Sequence, residues 1–355
     1  MGNERRRVLF VSKPVEPPWN DSSKNLVRDV DAHLRSYLGT TMVSASNQGA
    51  AIYGGPGKGG FAPALRENAR VLRYLLKDRS HDLWHFFFAP NPRTGLAGHL
   101  TRSLRRVPSI HTICSAPKDF SAWRYSLFSD RVVVLSEHTE TRLLKAGFPS
   151  ERLRRIVPAL PALEPLSAVE RTNERDALGV DPNKPLVVYA GDLEFGGGAE
   201  LCLDACRDMD VELVMACRSK TPRAAEVEKE LRSRGGAIWV GETPRIHPLL
   251  GCADAVLLPG TSLYAKMDYP LVILEAMSMG QPVVVGAGTP AEELAEGGAL
   301  VCEPTARAVQ SSIGAALSEG TALGVMGAAY VRERFAARHV AEQYEALYDE
   351  VLSER

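Results

Sequence analysis

The chain has 355 residues, of which 45% are apolar and 24% charged. This length accommodates two domains, and the composition is that of a globular protein, which excludes a disordered or fibrous chain. No apolar run reaches the ~20 residues of a membrane span, and the N-terminal segment has too short an apolar core for a signal peptide. The six cysteines form no CxxC pair and no zinc spacing, and no HxxE, HxH or carboxylate cluster indicates a metal. We therefore expect a reduced, cytoplasmic protein without a metal or other cofactor.

The small net charge of −1 conceals a division of charge along the chain. Residues 1–160 contain 25 Lys and Arg against 13 Asp and Glu, whereas the remainder contains 17 against 30. Two interpretations stay open: two solvated surfaces that face each other, or a basic half that meets an anionic acceptor or a membrane surface. The second adds peripheral contact with the inner membrane surface to the expected cytoplasmic location.

The first half of the chain alternates predicted strands and helices. In chain order these are a strand at 6–12, an amphipathic helix at 22–38, a strand at 40–46, a helix at 65–78, and strands at 82–89, 107–114 and 131–136. Three prolines in residues 156–166 then break the pattern, and we assign 1–160 to an N-terminal domain and 161–185 to a linker.

The second half repeats the alternation. It has predicted strands at 185–191, 211–217, 237–241, 255–259, 282–286 and 299–303, with helices at 199–206, 224–235 and 270–279 and a last one at 331–355. Apolar strands that alternate with helices form parallel sheets covered on both faces. The predicted fold class is therefore α/β, with two Rossmann-like, doubly wound domains (1–160 and 186–330) that face a cleft. The final helix is expected to cross back to the N-terminal domain.

A glycine-rich loop follows the first strand of the second domain. Gly191 ends the strand, and Gly196, Gly197 and Gly198 precede a helix that begins at Ala199. Glycines let the backbone approach a ligand, and a helix N-terminus favours an anion such as a diphosphate. The alternative is a flexible turn.

Cations occur at two further loops of this domain. Arg218 and Lys220 come just past a strand, where phosphates would lie. Lys266 is the only Lys or Arg between Arg245 and Arg307, and it precedes the next helix. We predict that these three side chains contact phosphate, with a solvated turn as the alternative.

The stretch DYPLVILEAMSMGQPVVV (268–285) places one carboxylate, Glu275, in an otherwise apolar helix. Pro270 suits the first helical turn, and Gly280 suits a left-handed helix end. Glu275 is either a charge on the wetted face or an acceptor for ligand hydroxyl groups. Asp268, Pro270 and Leu271, at the entry of the helix, are assigned to the same donor-binding site.

The first domain offers candidates for the acceptor side. His111 lies at the end of a buried strand, where a core histidine and a functional one are equally expected. Asn20, Asp21 and Lys24 lie in or after a proline-rich loop and could bind an acceptor, although Asp21 could simply cap the following helix.

Two stretches resemble the GT-B fold, retaining glycosyltransferases of family 4, also called glycosyl transferases group 1. YPLVILEAMSMGQPVVVGAGTPAEEL (269–294) resembles the specific helix motif of the family, and VVVLSEHTETRLLKAGFPSERLRRIVPALP (132–161) its entry into the interdomain linker. Together with the two-domain pattern, the resemblance covers nearly the whole chain.

The resemblance implies roles for particular residues. Glu275 would accept hydrogen bonds from the ribose of a nucleotide-sugar donor, the loop 191–198 would hold its diphosphate, and His111 would lie near the transferred sugar. Such enzymes retain the anomeric configuration, commonly without a metal or a protein nucleophile, while cations and helix N-termini stabilise the leaving diphosphate. His111 and Lys266 are therefore the candidate catalytic residues.

Two departures from the family pattern concern the donor site. Met267, beside Asp268, stands where the family usually has a second Glu that contacts the sugar. The loop GDLEFGGGAE (191–200) has no cation where the family commonly has Arg and Lys. Lys266, with Arg218 or Lys220, is the candidate replacement.

The predicted function is transfer of a sugar from a nucleotide-diphosphate donor to an unidentified acceptor. One alternative is a catalytically degenerate GT-B protein that binds a sugar or nucleotide or serves as a partner subunit. Another is a different GT-B enzyme such as a sugar-nucleotide epimerase, which would need an acid/base pair that the sequence does not show. An oxidoreductase is less favoured, because neither first strand is followed by a dinucleotide fingerprint.

Overall fold

The chain forms two compact units. The computed structural model describes residues 5–17, 19, 21–41, 43–44, 51–53, 65–219, 221–263 and 266–354. The first unit comprises Met1–Ala159, Ala265–Met267 and Ala337–Arg355, and the second comprises Leu160–Tyr264 and Asp268–Ala336.

The first unit is built on a parallel sheet. Its strands are β1 (Arg6–Val11), β2 (Tyr37–Thr41), β3 (Val43–Ser44), β4 (Ala51–Tyr53), β5 (Leu83–Phe88), β6 (Ser109–Ile113), β7 (Arg131–Val134) and β8 (Leu153–Arg155). Its helices up to that point are α1 (Ser22–Asp31), α2 (Leu65–Lys77), α3 (Pro92–Arg105), α4 (Trp123–Ser126) and α5 (Glu137–Lys145), with a 3₁₀ turn at Ser150–Arg152. Six of the described strands form one sheet in the order β2-β1-β5-β6-β7-β8, while β3 pairs with β4.

The predicted helix at 22–38 is wrong in its second half. The helix ends at Asp31, and β2 starts at Tyr37, which pairs in parallel with Arg6 of β1. Tyr37 is buried, and its ring packs edge-on against Tyr348 near the C-terminus. This long-range contact overrides the helical pattern of the local sequence, and the predicted strand at 40–46 accordingly starts earlier.

The second unit repeats the architecture. Its strands are β9 (Leu186–Asp192), β10 (Glu212–Arg218), β11 (Ile238–Trp239), β12 (Ala255–Leu258), β13 (Val283–Gly286) and β14 (Leu300–Cys302). Its helices are α6 (Ala168–Leu178), α7 (Gly198–Cys206), α8 (Ala224–Ser233), α9 (Ile246–Gly251), α10 (Leu271–Ser278) and α11 (Ala306–Arg334), with a 3₁₀ helix at Pro290–Gly297. The described strands form a parallel sheet in the order β11-β10-β9-β12-β13-β14.

The strand order of this second sheet indicates where a ligand would bind. The chain runs outward from β9 to β10 and β11, and then returns to β12 on the other side of β9. Ligands of open parallel sheets bind beyond the carboxyl ends of the strands, where the strand order reverses. In this unit the loops after β9 and β12 lie at that point.

The C-terminal region consists of two helices, not the single helix predicted at 331–355. The long α11 ends at Arg334, and α12 (Ala337–Ser353) belongs to the first unit. The break falls at Phe335, which is fully buried and whose carbonyl accepts a hydrogen bond from Leu160 N (2.8 Å). One face of α12 is buried, as its apolar spacing predicts.

The structure confirms the predicted α/β class with two doubly wound parallel sheets. The segment 161–185, predicted as a linker, contains α6, which starts with a capping box between Ser167 and Glu170. Across the described residues, no helix combines the length and apolar character needed to cross a membrane.

Candidate functional site

The loop between β9 and α7 is shaped by left-handed glycines. Gly196 has φ +77° and Gly197 has φ +68°, a region that residues with a Cβ rarely adopt. Gly197 is the N-cap of α7, and no side chain caps this helix. The backbone N–H groups of its first turn are thus not covered by a capping side chain, and the helix dipole favours an anion here.

Three glycines at the ends of neighbouring strands allow their loops to touch backbone to backbone. A Cβ on Gly196 would lie 2.8 Å from Ser262 O, one on Gly260 would lie 3.1 Å from Gly196 O, and one on Gly286 would collide with Gly260 O. Thr261 N also donates to Gly196 O (2.9 Å). The loops after β9, β12 and β13 therefore form one packed backbone surface at the carboxyl edge of the sheet. Gly260 and Gly286 belong to this surface and were not identified from the sequence.

Gly191 and Gly198 have a packing role. A Cβ on Gly191 would lie 2.5 Å from the hydroxyl of Tyr189, and one on Gly198 would lie 3.0 Å from its ring. Tyr189 is buried and donates its hydroxyl to Asp192 O (2.8 Å), which holds the end of β9. These two glycines make room for the tyrosine that supports the loop.

Glu194 ties this loop to the next one. Its carboxylate accepts hydrogen bonds from Thr221 N (2.7 Å) and Thr221 Oγ1 (3.0 Å). Arg218 is the last residue of β10, and its backbone carbonyl accepts a hydrogen bond from Leu193 N (3.2 Å). Arg218 is half-buried. The structure therefore brings Arg218 next to the glycine loop, while Lys220 lies outside the described residues.

Glu275 lies on the less buried stripe of α10. Its neighbours Leu271, Leu274 and Met277 are in the core, whereas the Glu275 side chain is 13% exposed. Its Oε1 lies 3.3 Å from Nε2 of His247 on α9. A carboxylate that is mostly buried and paired is held in position by its surroundings and is not a solvated surface charge. His247 was not identified from the sequence, because its pairing with Glu275 arises only when α9 and α10 pack together.

The entry to α10 is buried. Met267 and Asp268 are both 3% exposed, and Leu271 is also in the core. Pro270 is the N-cap with an extended ψ of 119°, so it precedes the helix instead of lying in its first turn as predicted. Lys266 is half-buried in the preceding loop. Met267 thus fills a core position at the place where the family has its other glutamate.

His111 is fully buried in β6 of the first unit. Nε2–H donates to Phe88 O (3.0 Å), and Nδ1 has no hydrogen-bond partner. The rings of Phe88 and Phe128 lie 4.4 and 5.9 Å away between centroids. Burial lowers the pKa of His111 to about 4, so the imidazole is neutral at neutral pH.

The candidate acceptor residues hold their own loop together. Asp21 caps α1 by accepting Ser23 N (3.0 Å), and it also pairs with Lys13. Burial alone would raise the pKa of Asp21, but the Lys13 ammonium and the Ser23 hydrogen bonds outweigh it and lower the pKa to about 2. Lys24 donates to Glu16 O (2.8 Å). Asn20 lies outside the described residues.

The predicted donor residues and the predicted acceptor residues belong to different compact units. Most donor residues lie in the second unit, whereas His111, Asp21 and Lys24 lie in the first, together with Lys266. In the part of the chain that the structure describes, no group of three or more His, Cys, Asp or Glu side chains is placed to hold a metal ion.

Part of the chain is similar in sequence to known proteins. Residues 184–319 match the model of the family described as glycosyl transferases group 1. Over 248 residues the chain is 26% identical to the D-inositol 3-phosphate glycosyltransferase of Jonesia denitrificans, covering 59% of this chain and 57% of that protein. It is 27% identical over 244 residues to the alpha-maltose-1-phosphate synthase of Mycobacterium tuberculosis, covering 59% and 62%. The alignments thus span about three fifths of the curated relatives.

Solved structures share the fold over the whole chain. Anabaena HepE, crystallised with UDP and glucose, has a TM-score of 0.76 at 18% identity and covers 97% of this chain and 100% of its own. Sucrose-phosphate synthase from Thermosynechococcus elongatus has a TM-score of 0.77 at 16% identity and covers 99% and 100%.

The two parallel-sheet units therefore define a protein of the GT-B fold. Within that fold, residues 184–319 match the model of the group 1 glycosyltransferases. The resemblance described from the sequence is confirmed at this level.

Proposed function

We propose that this protein transfers a sugar from a nucleotide-diphosphate donor to an acceptor, with retention of the anomeric configuration and without a metal. The observation that carries the proposal is the placement of Glu275, a mostly buried carboxylate fixed beside His247 within the family-matched region. Relatives named as glycosyltransferases, and a structural neighbour solved with UDP-glucose, support a nucleotide-sugar donor.

The donor would be held by three features of the second unit. Glu275 accepts hydrogen bonds from two ribose hydroxyls, and a charged acceptor binds them more strongly than a neutral side chain does. The diphosphate lies against the backbone of Gly196–Gly198 at the start of α7. Arg218, Lys220 and Lys266 are proposed to provide the cations that the loop 191–200 lacks.

In this proposal, backbone N–H groups provide most of the stabilisation of the negative charge on the leaving diphosphate. As the sugar–phosphate bond breaks, negative charge develops on the diphosphate, and preorganised N–H groups stabilise it without reorganisation. His111, whose Nδ1 has no hydrogen-bond partner among the described residues, is retained as the candidate residue near the transferred sugar. Asp21 and Lys24 remain candidate acceptor contacts, and the basic first half favours an anionic acceptor.

A non-catalytic nucleotide-binding protein is the second candidate. Met267 is a core side chain where the family has a glutamate, and Glu194 is committed to Thr221 in the loop where the family has cations. These two features weaken sugar contact and diphosphate stabilisation without removing the ribose site. Both candidates therefore predict nucleotide binding, and turnover distinguishes them.

The test of the donor site is a thermal-shift panel of UDP, ADP, GDP and their common sugar conjugates. A ligand at 100 times its Kd stabilises the folded protein by ~2.7 kcal/mol. We expect one nucleotide family to raise Tm, and Glu275→Ala to abolish the rise. Glu319→Ala, which removes an exposed carboxylate from α11, should respond like the wild type. No shift with any nucleotide, or an equal shift in Glu275→Ala, would overturn the proposed donor site.

A further inference from the structure

Helix α3 of the first unit buries its small residues and exposes its large apolar ones. A Cβ on Gly95 would collide with Tyr125 O, and one on Gly98 would collide with the ring of Phe128. The buried face of the helix, which also holds Thr101, is thus made of small residues that allow close approach. Because that contact leaves no room for larger side chains, the helix cannot rotate to bury its leucines.

Three leucines form a stripe on the opposite face. Leu96, Leu100 and Leu104 follow one another at a spacing of four residues and are 73%, 53% and 64% exposed. A surface helix normally turns such a stripe toward the core. A contiguous apolar stripe on the surface marks a site of interaction with another molecule or a membrane.

The surroundings of this stripe are basic. Residues 92–106 contain four arginines and no Asp or Glu. His99, Arg102, Ser103 and Arg106 line an open depression of about 570 Å³ beside the leucines. Arg106 caps the helix with φ +52°, the one positive φ among the described non-glycine residues.

The depression is partly preorganised. The Arg102 guanidinium donates to Phe128 O (2.9 Å) and pairs with Asp130, which fixes one wall. His99 is held by a contact of its Nε2 with Arg124 O (3.1 Å). These contacts fix the wall that lies beside the exposed leucines.

Neighbouring helices extend the positive charge. Helix α2, which packs against α3, exposes Arg70, Arg73 and Lys77 at spacings of three and four residues. Helix α4, on the other side, exposes Arg124 and Tyr125, the latter 70% exposed. Exposed basic residues are therefore present on both helices that pack against α3.

We propose that α3 docks this protein on an anionic lipid bilayer, with the three leucines inserted among the acyl chains and the arginines at the headgroups. An amphipathic helix with leucines on one face and Arg on its flanks binds an interface in this way, and each basic residue near an anionic surface adds to the affinity. A second copy fits less well, because a two-fold contact through α3 would bring the arginines of both copies together.

The test is co-sedimentation of the full chain with vesicles of phosphatidylcholine, with and without phosphatidylglycerol. We expect binding to the anionic vesicles at low salt, weakened at high salt because screening reduces charge attraction. The triple variant Leu96→Ser, Leu100→Ser, Leu104→Ser should lose at least about tenfold in affinity. Arg93→Gln with Arg106→Gln should lose roughly thirtyfold.

The matched control removes equally exposed apolar side chains from the second unit. Val169→Ser with Val325→Ser, both 69% exposed in the wild type, should bind as the wild type does. The proposal is overturned if the wild type ignores anionic vesicles at low salt, or if the triple variant binds them equally well. It is also overturned if light scattering shows a dimer that the triple variant loses, because the leucines would then contact a second copy. This test does not depend on the donor site.

Discussion

Burial holds the ring of His111 neutral in the folded first unit, because it lowers the pKa of the imidazole to about 4. Burial likewise lowers the pKa of His85 on the adjacent strand, with a smaller contribution from His111 itself. Both groups have ordinary pKa values near 6.5 once the chain unfolds. Protons therefore bind the unfolded state preferentially below pH 6.5, and this destabilises the fold.

The predicted consequence is a loss of stability between pH 7 and pH 5. His111 alone accounts for about 2 kcal/mol over this range, and the loss continues until its folded pKa of about 4 is reached. His111→Gln, which keeps a donor for Phe88 O, should show that much less pH dependence in urea unfolding. His339→Gln, at an exposed position on α12, serves as the control. Identical pH slopes in the wild type and His111→Gln would contradict the assignment.

The residues of the candidate site differ in how far the sequence could locate them. Glu275 and the glycine loop could be placed because strand, loop and helix signals surround them along the chain. His247 and Gly286 could not, since each acquires its role only from a contact between separate segments. The structure also shows that Asp21 and Lys24 hold their loop, which their residue types alone do not distinguish from acceptor binding.

At the scale of elements, α12 is fastened to the first unit by a buried polar ladder. The Tyr348 hydroxyl contacts His85 Nδ1 (2.8 Å), His85 Nε2 contacts Thr112 Oγ1 (2.8 Å), and Thr112 Oγ1 contacts the Tyr344 hydroxyl (3.1 Å). All four side chains are fully buried. Loss of any hydrogen bond of the ladder should lower the free energy of unfolding, because a buried polar atom that loses its partner retains its desolvation cost.

Tyr348→Phe is therefore predicted to destabilise the first unit by about 1–3 kcal/mol, because it leaves His85 Nδ1 without a partner. Urea unfolding measures the effect. Tyr330→Phe, at a half-buried hydroxyl on α11, should change stability by no more than about 0.5 kcal/mol. Equal losses in both variants would contradict the special role of the ladder.

Elements could be predicted from sequence where apolar periodicity is strong, as in β5, α2 and β13. The helix α3 was not predicted, because its glycines face inward and its leucines outward, the reverse of the expected pattern. The end of α1 and the break before α12 depend on tertiary contacts of Tyr37 and Phe335. Local patterns do not contain that information.

For the whole molecule, two repeats of one architecture were predictable because the alternation of apolar strands and helices restarts after the prolines. The structure confirms both parallel sheets, and residues 184–319 of the second unit match the group 1 model. The division of charge between the halves gives the first unit the positive surface that the docking proposal uses.

Sugar transfer can be followed by a proton NMR time course of the nucleotide sugar selected by thermal shift, incubated with the protein and candidate acceptors or with water alone. We expect loss of the donor's anomeric signal, a product of the same anomeric configuration, and an unchanged rate with a chelator present. Glu275→Ala should slow the reaction at least about tenfold, through loss of a charged hydrogen bond. Donor that binds but is not consumed would contradict the claim and leave a nucleotide-binding protein.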